Sequence, residues 1–215
     1  MKKFNCVNCG SCCSFGKQGY LPLYYWEVSL ILEIAKQKKI LLDLRPVVIF
    51  HDKISEKYFS IIYGMFNDSC VFRKDNCTIY KDRPFVCRAY PLFWTPKYLI
   101  DGHFGIHCFG YCKNYNHQAF LDNLQKHKLN SKILLKKSKT NYSESYLSCL
   151  RSNKVNLKLS NILRDLESKK RISLIRTLNP NSEKVFGFDE FLIETGLFSK
   201  SQIKQMNLKF KLAMC

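Results

Sequence analysis

The first long amphipathic pattern lies in residues 21–44, LPLYYWEVSLILEIAKQKKILLDL. Its apolar positions near helical spacing are Trp26, Leu30 and Ile34, with Leu41 and Leu42 after a polar KQKK break. Pro22 marks the start of this pattern, since proline is common at the first position of a helix. The pattern therefore predicts an amphipathic helix.

The pattern then changes to short runs that are typical of strands. PVVIF and KYFSIIYGM are rich in β-branched and aromatic residues and flank the polar HDKISE, which predicts a strand pair. In CVFRKDNCTIY the central KDN predicts a tight turn, and KDRPFVCRAYPLFW, with two prolines, predicts an irregular segment. A further strand pair, turning at Asp101-Gly102, is expected in KYLIDGHFGIHCFGYC.

From residue 117 onward cysteines become sparse and lysines frequent. We therefore predict a cysteine-rich domain over 1–116 and a basic helical region over 117–215. Helices are expected in FLDNLQKHKLNSKILLKK and in NLKLSNILRDLESKKRISLIRTL, with SKTNYSES as a linker between them. The second helix has apolar positions at Leu159, Ile162, Leu166 and Ile175. Ser199 and Gln202 form a capping box before a last helix with Ile203, Met206 and Phe210.

These elements predict an α+β fold, in which a small cysteine-rich domain with irregular loops precedes a helical region. The 215 residues, 46% of them hydrophobic, are enough for a packed core, so the eleven cysteines are not needed as a disulfide scaffold. Neither a secretory leader nor an apolar run long enough for a membrane span is seen. We expect a cytoplasmic protein with reduced thiols and no membrane partner.

The candidate metal ligands are nine cysteines in the first 112 residues. They are Cys6, Cys9, Cys12, Cys13, Cys70, Cys77, Cys87, Cys108 and Cys112. The first four form CVNCGSCC, where two-residue spacers let a short loop offer several thiolates to one metal, and Gly10 lets the backbone turn. Cys149 and Cys215 stand apart, and we interpret them as structural.

CVNCGSCC together with CVFRKDNCTIYKDRPFVCRAYP resembles the YkgJ-type CxxCxxCC family, described as a zinc- or iron-chelating domain. The resemblance covers about residues 1–115. It implies that Cys6, Cys9, Cys12, Cys13, Cys70, Cys77 and Cys87 are the motif cysteines, whereas Cys108 and Cys112 match a later pair only loosely. One group that contains this domain, the flagellin lysine N-methylases, looks like a case in which the cysteines hold an iron–sulfur centre that is used in protein methylation.

Cysteine spacing bears on the identity of the metal. Structural zinc sites mostly use two separated CxxC pairs, and three staggered cysteines with a neighbour do not divide into such pairs. A cubane cluster is bound by CxxCxxC plus a remote cysteine, often close to a proline, and Pro91 follows Cys87 by four residues. The spacing favours an iron–sulfur cluster over zinc, with zinc, or a mixed or dinuclear site, left open.

Several residues near the cysteines are candidates for a supporting shell. Arg83 and Arg88 are predicted either to place guanidinium donors near thiolates or sulfides, or to bridge carbonyl groups in a packed turn. Tyr80, Phe85 and Tyr90 are interpreted mainly as core. Neither His103 nor His107 is needed as a ligand when nine cysteines are near. Glu27 is interpreted as a solvated residue at the start of the first helix.

The motif search excludes some function classes and leaves three hypotheses. No dinucleotide, Walker or G-x-S-x-G motif is present. The net charge is +18, and residues 116–215 carry 19 Lys and Arg against 8 Asp and Glu, which predicts a solvated lysine face more than a nucleic-acid or acidic-partner surface. The resemblance implies redox or lysine methyl-transfer activity on a protein substrate. The alternatives are a zinc-stabilised binding module and a metal-handling protein without catalysis.

Overall fold

The computed structural model describes Cys13 and residues 19–90, 92–94, 104–106, 143–175 and 184–214. The chain divides into two compact units. The unit that contains the motif cysteines, here called the cysteine unit, comprises Met1–Gly19 and Asp68–Asn156. The other, here called the sheet unit, comprises Tyr20–Asn67 and Leu157–Cys215. The predicted domain boundary at 116/117 and the predicted helix at 120–137 lie outside the described residues.

The described elements confirm the predicted α+β class. The strands are β1 Leu21–Tyr24, β2 Leu44–Asp52, β3 Lys57–Met65, β4 Leu92–Trp94, β5 Phe104–Ile106, β6 Ile172–Ile175 and β7 Val185–Gly187. The α-helices are α1 Tyr25–Gln37, α2 Phe85–Ala89, α3 Ser143–Ser168, α4 Phe188–Glu194 and α5 Lys200–Met214, and Tyr80–Asp82 forms a short 3-10 helix. None of the described helices is long and apolar enough to cross a membrane.

The sheet unit is built around the predicted strand pair. β2 and β3 are antiparallel, and the sheet order is β1-β3-β2-β6. β1 pairs with the end of β3, and β7 runs parallel to the start of β3. Two of these five strands, β6 and β7, come from the half of the chain that the sequence pattern predicts to be helical. The sheet is therefore completed by residues more than 100 positions from its central hairpin.

Aromatic side chains form the core of the sheet unit. Phe59 on β3 is fully buried, and its ring stacks on Phe191 with centroids 4.0 Å apart and on Phe50 at 5.4 Å. Phe188 on α4 packs against Tyr25 of α1 at 5.2 Å. Buried aromatic rings of this size supply the largest apolar contributions to a core, so this unit has an ordinary hydrophobic source of stability.

Helix α1 differs in detail from its prediction. Pro22 lies in β1 rather than at the helix start. The buried stripe of the helix contains Ile31 and Ala35, whereas the predicted Leu30 is 41% exposed. Both stripes are apolar and lie about 100° apart on the helix, so periodicity alone did not choose between them. Glu27 is buried rather than solvated, and its carboxylate accepts a hydrogen bond from the backbone N–H of Tyr24 at 3.1 Å.

The C-terminal half confirms one helix and corrects another. The capping box at Ser199 and Gln202 is present, with reciprocal hydrogen bonds of 2.8 and 3.2 Å before α5. Leu159 and Leu166 are buried on α3 as predicted. The predicted continuation to Ile175 is wrong, because α3 ends at Ser168 and a turn with Lys170 at φ 52° leads into β6.

A buried ion pair joins β2 to the residue before β6. Arg171 donates to both carboxylate oxygens of Asp52, at 2.6 and 3.2 Å, and Asp52 also accepts from the backbone N–H of Ser55 at 3.0 Å. Burial by itself raises the pKa of Asp52, but the hydrogen bonds from Arg171 and Ser55 outweigh it, so this pKa lies below its usual value. The pair ties the central hairpin to the C-terminal half of the chain.

Candidate metal centre

The second cysteine motif begins with a closed loop between Cys70 and Cys77. The backbone N–H of Arg73 donates to the Cys70 carbonyl at 3.0 Å, and Arg73 pairs with Cys77 in an isolated antiparallel bridge. Between them the N–H of Lys74 donates to the carbonyl of Asn76 at 3.2 Å. The predicted tight turn at KDN is therefore confirmed. It returns the chain so that Cys70 and Cys77 belong to one loop.

Thr78 holds this loop from its far end. Its backbone N–H and its hydroxyl both donate to the carbonyl oxygen of Phe72, each at 2.9 Å. The side chains of Phe72 and Ile79 are buried, with relative exposures of 1% and 4%. The apolar residues of CVF and CTIY thus form core next to the cysteines, and their hydrogen bonds fix the backbone between them.

The segment that follows is more regular than its two prolines indicated. Pro84 precedes α2, and its carbonyl accepts hydrogen bonds from the N–H groups of Cys87 and Arg88, at 3.0 and 3.1 Å. Pro84 supplies no N–H, which costs nothing just ahead of the first helical turn. Phe85 and Ala89 are buried, and Cys87 is half-buried on the same short helix. The prediction of an irregular segment is wrong here, because Pro84 starts a short helix rather than preventing one.

The predicted third strand pair is present with a different partner. Phe104–Ile106 forms β5, as expected from HFGI, and it pairs antiparallel with Leu92–Trp94, so that Trp94 lies opposite Phe104. The predicted turn at Asp101-Gly102 lies outside the described residues. The first strand of the pair follows Cys87 by five residues, directly after the RAYP sequence.

Cys13 connects the first cysteine motif to the second. The backbone N–H of Cys70 donates to the carbonyl of Cys13 at 2.8 Å. The side chains of the same two cysteines are also hydrogen-bonded to each other, and Cys87 is close enough to Cys70 to interact with it electrostatically. Cys13 and Cys70, which are far apart in the sequence and come from different motifs, therefore contact each other. All four described candidates, Cys13, Cys70, Cys77 and Cys87, are half-buried thiols.

The electrostatics of Cys70 reflect this crowding of sulfurs. Its hydrogen bond to Cys13, its burial and its neighbour Cys87 raise the pKa of the Cys70 thiol well above the usual value, while the Phe72 backbone N–H, which is hydrogen-bonded to the sulfur, acts in the opposite direction. Thiolates repel one another when they are crowded and buried without a cation. A bound metal ion reverses this balance, because it deprotonates the thiols that coordinate it.

The two predicted arginines lie near the cysteines in sequence but differ in surroundings. Arg83 donates from Nε to the carbonyl of Tyr80 at 2.9 Å, and its guanidinium lies 3.7 Å from the centroid of the Tyr80 ring. This contact resembles the carbonyl-bridging alternative. Arg88 follows Cys87 directly on α2. Whether either guanidinium faces a metal group stays a prediction.

Five of the nine candidate ligands lie outside the described residues, namely Cys6, Cys9, Cys12, Cys108 and Cys112, and so do His103 and His107. Among the residues that the structure describes, no group of three His, Cys, Asp or Glu side chains is arranged to hold a metal ion. The donor chemistry of the described thiols fits zinc or iron, and the ligand set stays a prediction.

Sequence analysis did not single out two groups that shape this region, the Phe72 amide and the Thr78 side chain. The Phe72 N–H is hydrogen-bonded to the sulfur of Cys70, two residues earlier. The available indication for the Phe72 amide was an apolar residue two positions after a cysteine. In the structure that residue is buried and lies inside a closed loop. Thr78 had none, since a threonine between Cys77 and Ile79 is also an ordinary strand residue.

Comparison with known proteins agrees with the resemblance. No curated protein and no solved structure is significantly similar to this chain. One family model matches residues 5–118, and its description is CxxCxxCC, a putative zinc- or iron-chelating domain. The match spans both cysteine motifs and more than half of the chain. This description supports metal binding in general, and the chain belongs to the CxxCxxCC family.

Proposed function

We propose that the cysteine unit is a thiolate metal centre in which CVNCGSCC and the second motif bind one metal group. The meeting of Cys13 with Cys70 carries this proposal, since a backbone hydrogen bond of 2.8 Å and a side-chain hydrogen bond join the two motifs. Cysteines that serve only as small apolar residues need no such convergence. Cys87 lies within electrostatic range of Cys70 and is a candidate for the same centre.

For the bound group we favour an iron–sulfur cluster. The first motif offers three cysteines at two-residue spacing, and a remote cysteine completes the pattern that cubane clusters use. Cys70 and Cys87 supply such remote thiols. The hydrogen bond from the Phe72 amide to the Cys70 sulfur supports this, because N–H donors to sulfur tune iron–sulfur clusters.

A structural zinc site is the second candidate, and one observation favours it. Near the described cysteines the elements are short, with a five-residue helix, three-residue strands and a closed loop. Short elements around clustered cysteines often depend on a metal for folding. In that case the protein is a zinc-stabilised binding module, or a metal-handling protein if the metal exchanges.

Metal and acid-labile sulfide content, with a visible spectrum, separate these candidates in protein purified without oxygen. Iron with matching sulfide and a brown colour bleached by dithionite supports the cluster. Zinc without sulfide or colour supports the structural site. Chelator competition on the zinc form then distinguishes a fixed site from exchangeable metal. Protein that holds neither iron nor zinc contradicts the proposed centre.

The activity of the centre is a separate proposal, of redox chemistry or methyl transfer to a lysine of a protein substrate. It rests on the family resemblance of the two cysteine motifs, and no catalytic residue is assigned. Reduction of the cluster by a defined electron donor, and transfer of labelled methyl to a protein acceptor, are the two assays. A centre that cannot be reduced, in a protein that transfers no methyl group, contradicts both activities.

A further inference from the structure

A second polar site lies in the sheet unit, where α1, α4 and α5 meet. Phe188, which precedes Asp189 on α4, packs its ring on Tyr25 at 5.2 Å. On the other side Trp26 packs on Phe210 of α5 at 5.3 Å. Asp189 is linked to α5 by the side-chain amide of Asn207, which donates to Oδ2 at 2.5 Å. These two ring contacts and the hydrogen bond thus link the three helices to one another.

Four buried polar atoms on these three helices have no hydrogen-bond partner among the described residues. They are Tyr25 Oη, Trp26 Nε1, Asp189 Oδ1 and Asn207 Oδ1. Tyr25 and Trp26 are more than nine-tenths buried, with relative exposures of 7% and 5%. A buried polar atom without a partner costs about 1–3 kcal/mol, so these four atoms call for a ligand or ordered water.

The charge and the atom types narrow the chemistry of that ligand. No lysine or arginine among the described residues forms an ion pair with Asp189, while its neighbour Glu190 pairs with Lys184 at 3.4 Å. Burial raises the pKa of Asp189, and the hydrogen bond from Asn207 offsets this only in part. Three of the four atoms accept hydrogen bonds, and aromatic rings attract cations. Only Trp26 offers solely a donor.

We propose that Tyr25, Asp189 and Asn207 bind a small protonated amine by accepting hydrogen bonds from its N–H groups, and that Trp26 donates to an oxygen of the same molecule. The position beside Gly187 is open, since an added Cβ there meets only the Tyr63 hydroxyl, at 3.9 Å. Tyr63 is half-buried. The site contains no cysteine, so this inference does not rest on the proposed metal centre.

Ethanolamine hydrochloride is the probe, and ethylene glycol at the same concentration is its uncharged control. We expect ethanolamine to shift the indole N–H resonance of Trp26 in a titration followed by ¹⁵N-¹H spectra, and to raise the melting temperature. The glycol has neither effect. A Trp94→Phe variant assigns the resonance, because the chain has two tryptophans. An unchanged Trp26 resonance and melting temperature with ethanolamine overturn the proposal and leave ordered water at the site.

Two variants test the named atoms. Asp189→Asn removes the charge and keeps the shape, and we expect it to weaken ethanolamine binding about tenfold or more. Asp165→Asn is its matched control, since Asp165 is an exposed residue paired with Lys169 on α3. Tyr25→Phe keeps the ring on Phe188 and removes the hydroxyl, so it weakens binding without unfolding the protein. Equal binding by wild type, Asp189→Asn and Asp165→Asn contradicts the proposal.

Discussion

The sheet unit and the cysteine unit use different means to hold their folds. The sheet unit has a five-stranded sheet and a core of buried aromatic rings that includes Phe50, Phe59 and Phe188. The described part of the cysteine unit has a two-stranded sheet, a five-residue helix, the first half of α3 and buried residues such as Phe72 and Phe85. In the sheet unit this apolar burial is an ordinary source of stability. The cysteine unit brings the sulfurs of Cys13 and Cys70 together, and we expect a bound metal to contribute to its stability.

Removal of the metal should give the largest difference between the two units, because we expect it to affect only the cysteine unit. After chelation under reducing conditions, we expect the amides of Phe72 and Thr78 to lose hydrogen-exchange protection, because crowded thiols no longer have a cation to bind. Amides of β2 and β3 should keep theirs. Exchange followed by mass spectrometry on holo and chelated protein measures both. Unchanged protection in the cysteine unit contradicts the comparison.

Truncation of the aromatic core should destabilise the sheet unit and leave the metal content of the cysteine unit unchanged. Phe59→Ala removes a fully buried ring that stacks on Phe50 and Phe191, and we expect it to lower the free energy of unfolding of the sheet unit by about 3–5 kcal/mol. Metal content should not change. Urea unfolding monitored by circular dichroism, with metal analysis of the same sample, tests this. Leu41→Ala is the control, since Leu41 is 89% exposed.

The ion pair of the sheet unit should show a pH dependence. Asp52 is fully buried against Arg171, so Arg171→Met leaves a buried carboxylate unpaired and should cost about 3 kcal/mol at neutral pH. Because the pKa of Asp52 is lowered in the folded state, its stabilisation is present above the unfolded value of about 4 and is lost as pH falls below it.

Between neutral and acidic pH, the free energy of unfolding of Arg171→Met should fall less than that of wild type. In this variant Asp52 no longer has the partner that lowers its pKa. Denaturant unfolding at several pH values, with Lys169→Met as an exposed control, measures the difference. An equal acid loss in Arg171→Met and wild type shows that the pair does not contribute as stated.

The smallest effect is expected at Thr78. Thr78→Val keeps the shape and removes the hydroxyl that donates to the Phe72 carbonyl, so it should destabilise the cysteine unit by about 1 kcal/mol. It should also weaken metal retention against a competing chelator, because the Phe72 peptide lies next to Cys70. Thr78→Ser keeps the donor and should behave as wild type. If valine and serine variants retain metal equally, Thr78 has no such role.

The local patterns that could be predicted from the sequence depend on neighbouring residues. The β2–β3 pair, the KDN turn and the Ser199 capping box are confirmed because each is set by residues a few positions apart. The contribution of β6 could not be predicted, because ISLI continues the apolar spacing of α3. Only the antiparallel pairing of this segment with β2 makes it a strand. Short apolar runs are ambiguous between helix and strand for this reason.

For the candidate metal centre, the sequence predicted the type of ligand but only part of the geometry. Cysteine spacing identified Cys13, Cys70 and Cys87 as candidate ligands, and the structure shows Cys13 and Cys70 in contact. The sequence could not show that Thr78 and the Phe72 amide support them, since a threonine here is also an ordinary strand residue and every non-proline residue has a backbone N–H. Nor could it predict the polar site at Asp189, because a helix-start aspartate is usually solvated.

Metal content of single cysteine variants, purified without oxygen, tests most directly whether the two motifs form one centre. Cys13→Ser and Cys70→Ser change opposite sides of the contact between the motifs, and Cys149→Ser on α3 is the matched control. We predict that wild type and Cys149→Ser hold the same amount of metal, and that Cys13→Ser and Cys70→Ser each lose most of it. Full metal content in either Cys13→Ser or Cys70→Ser contradicts a shared centre.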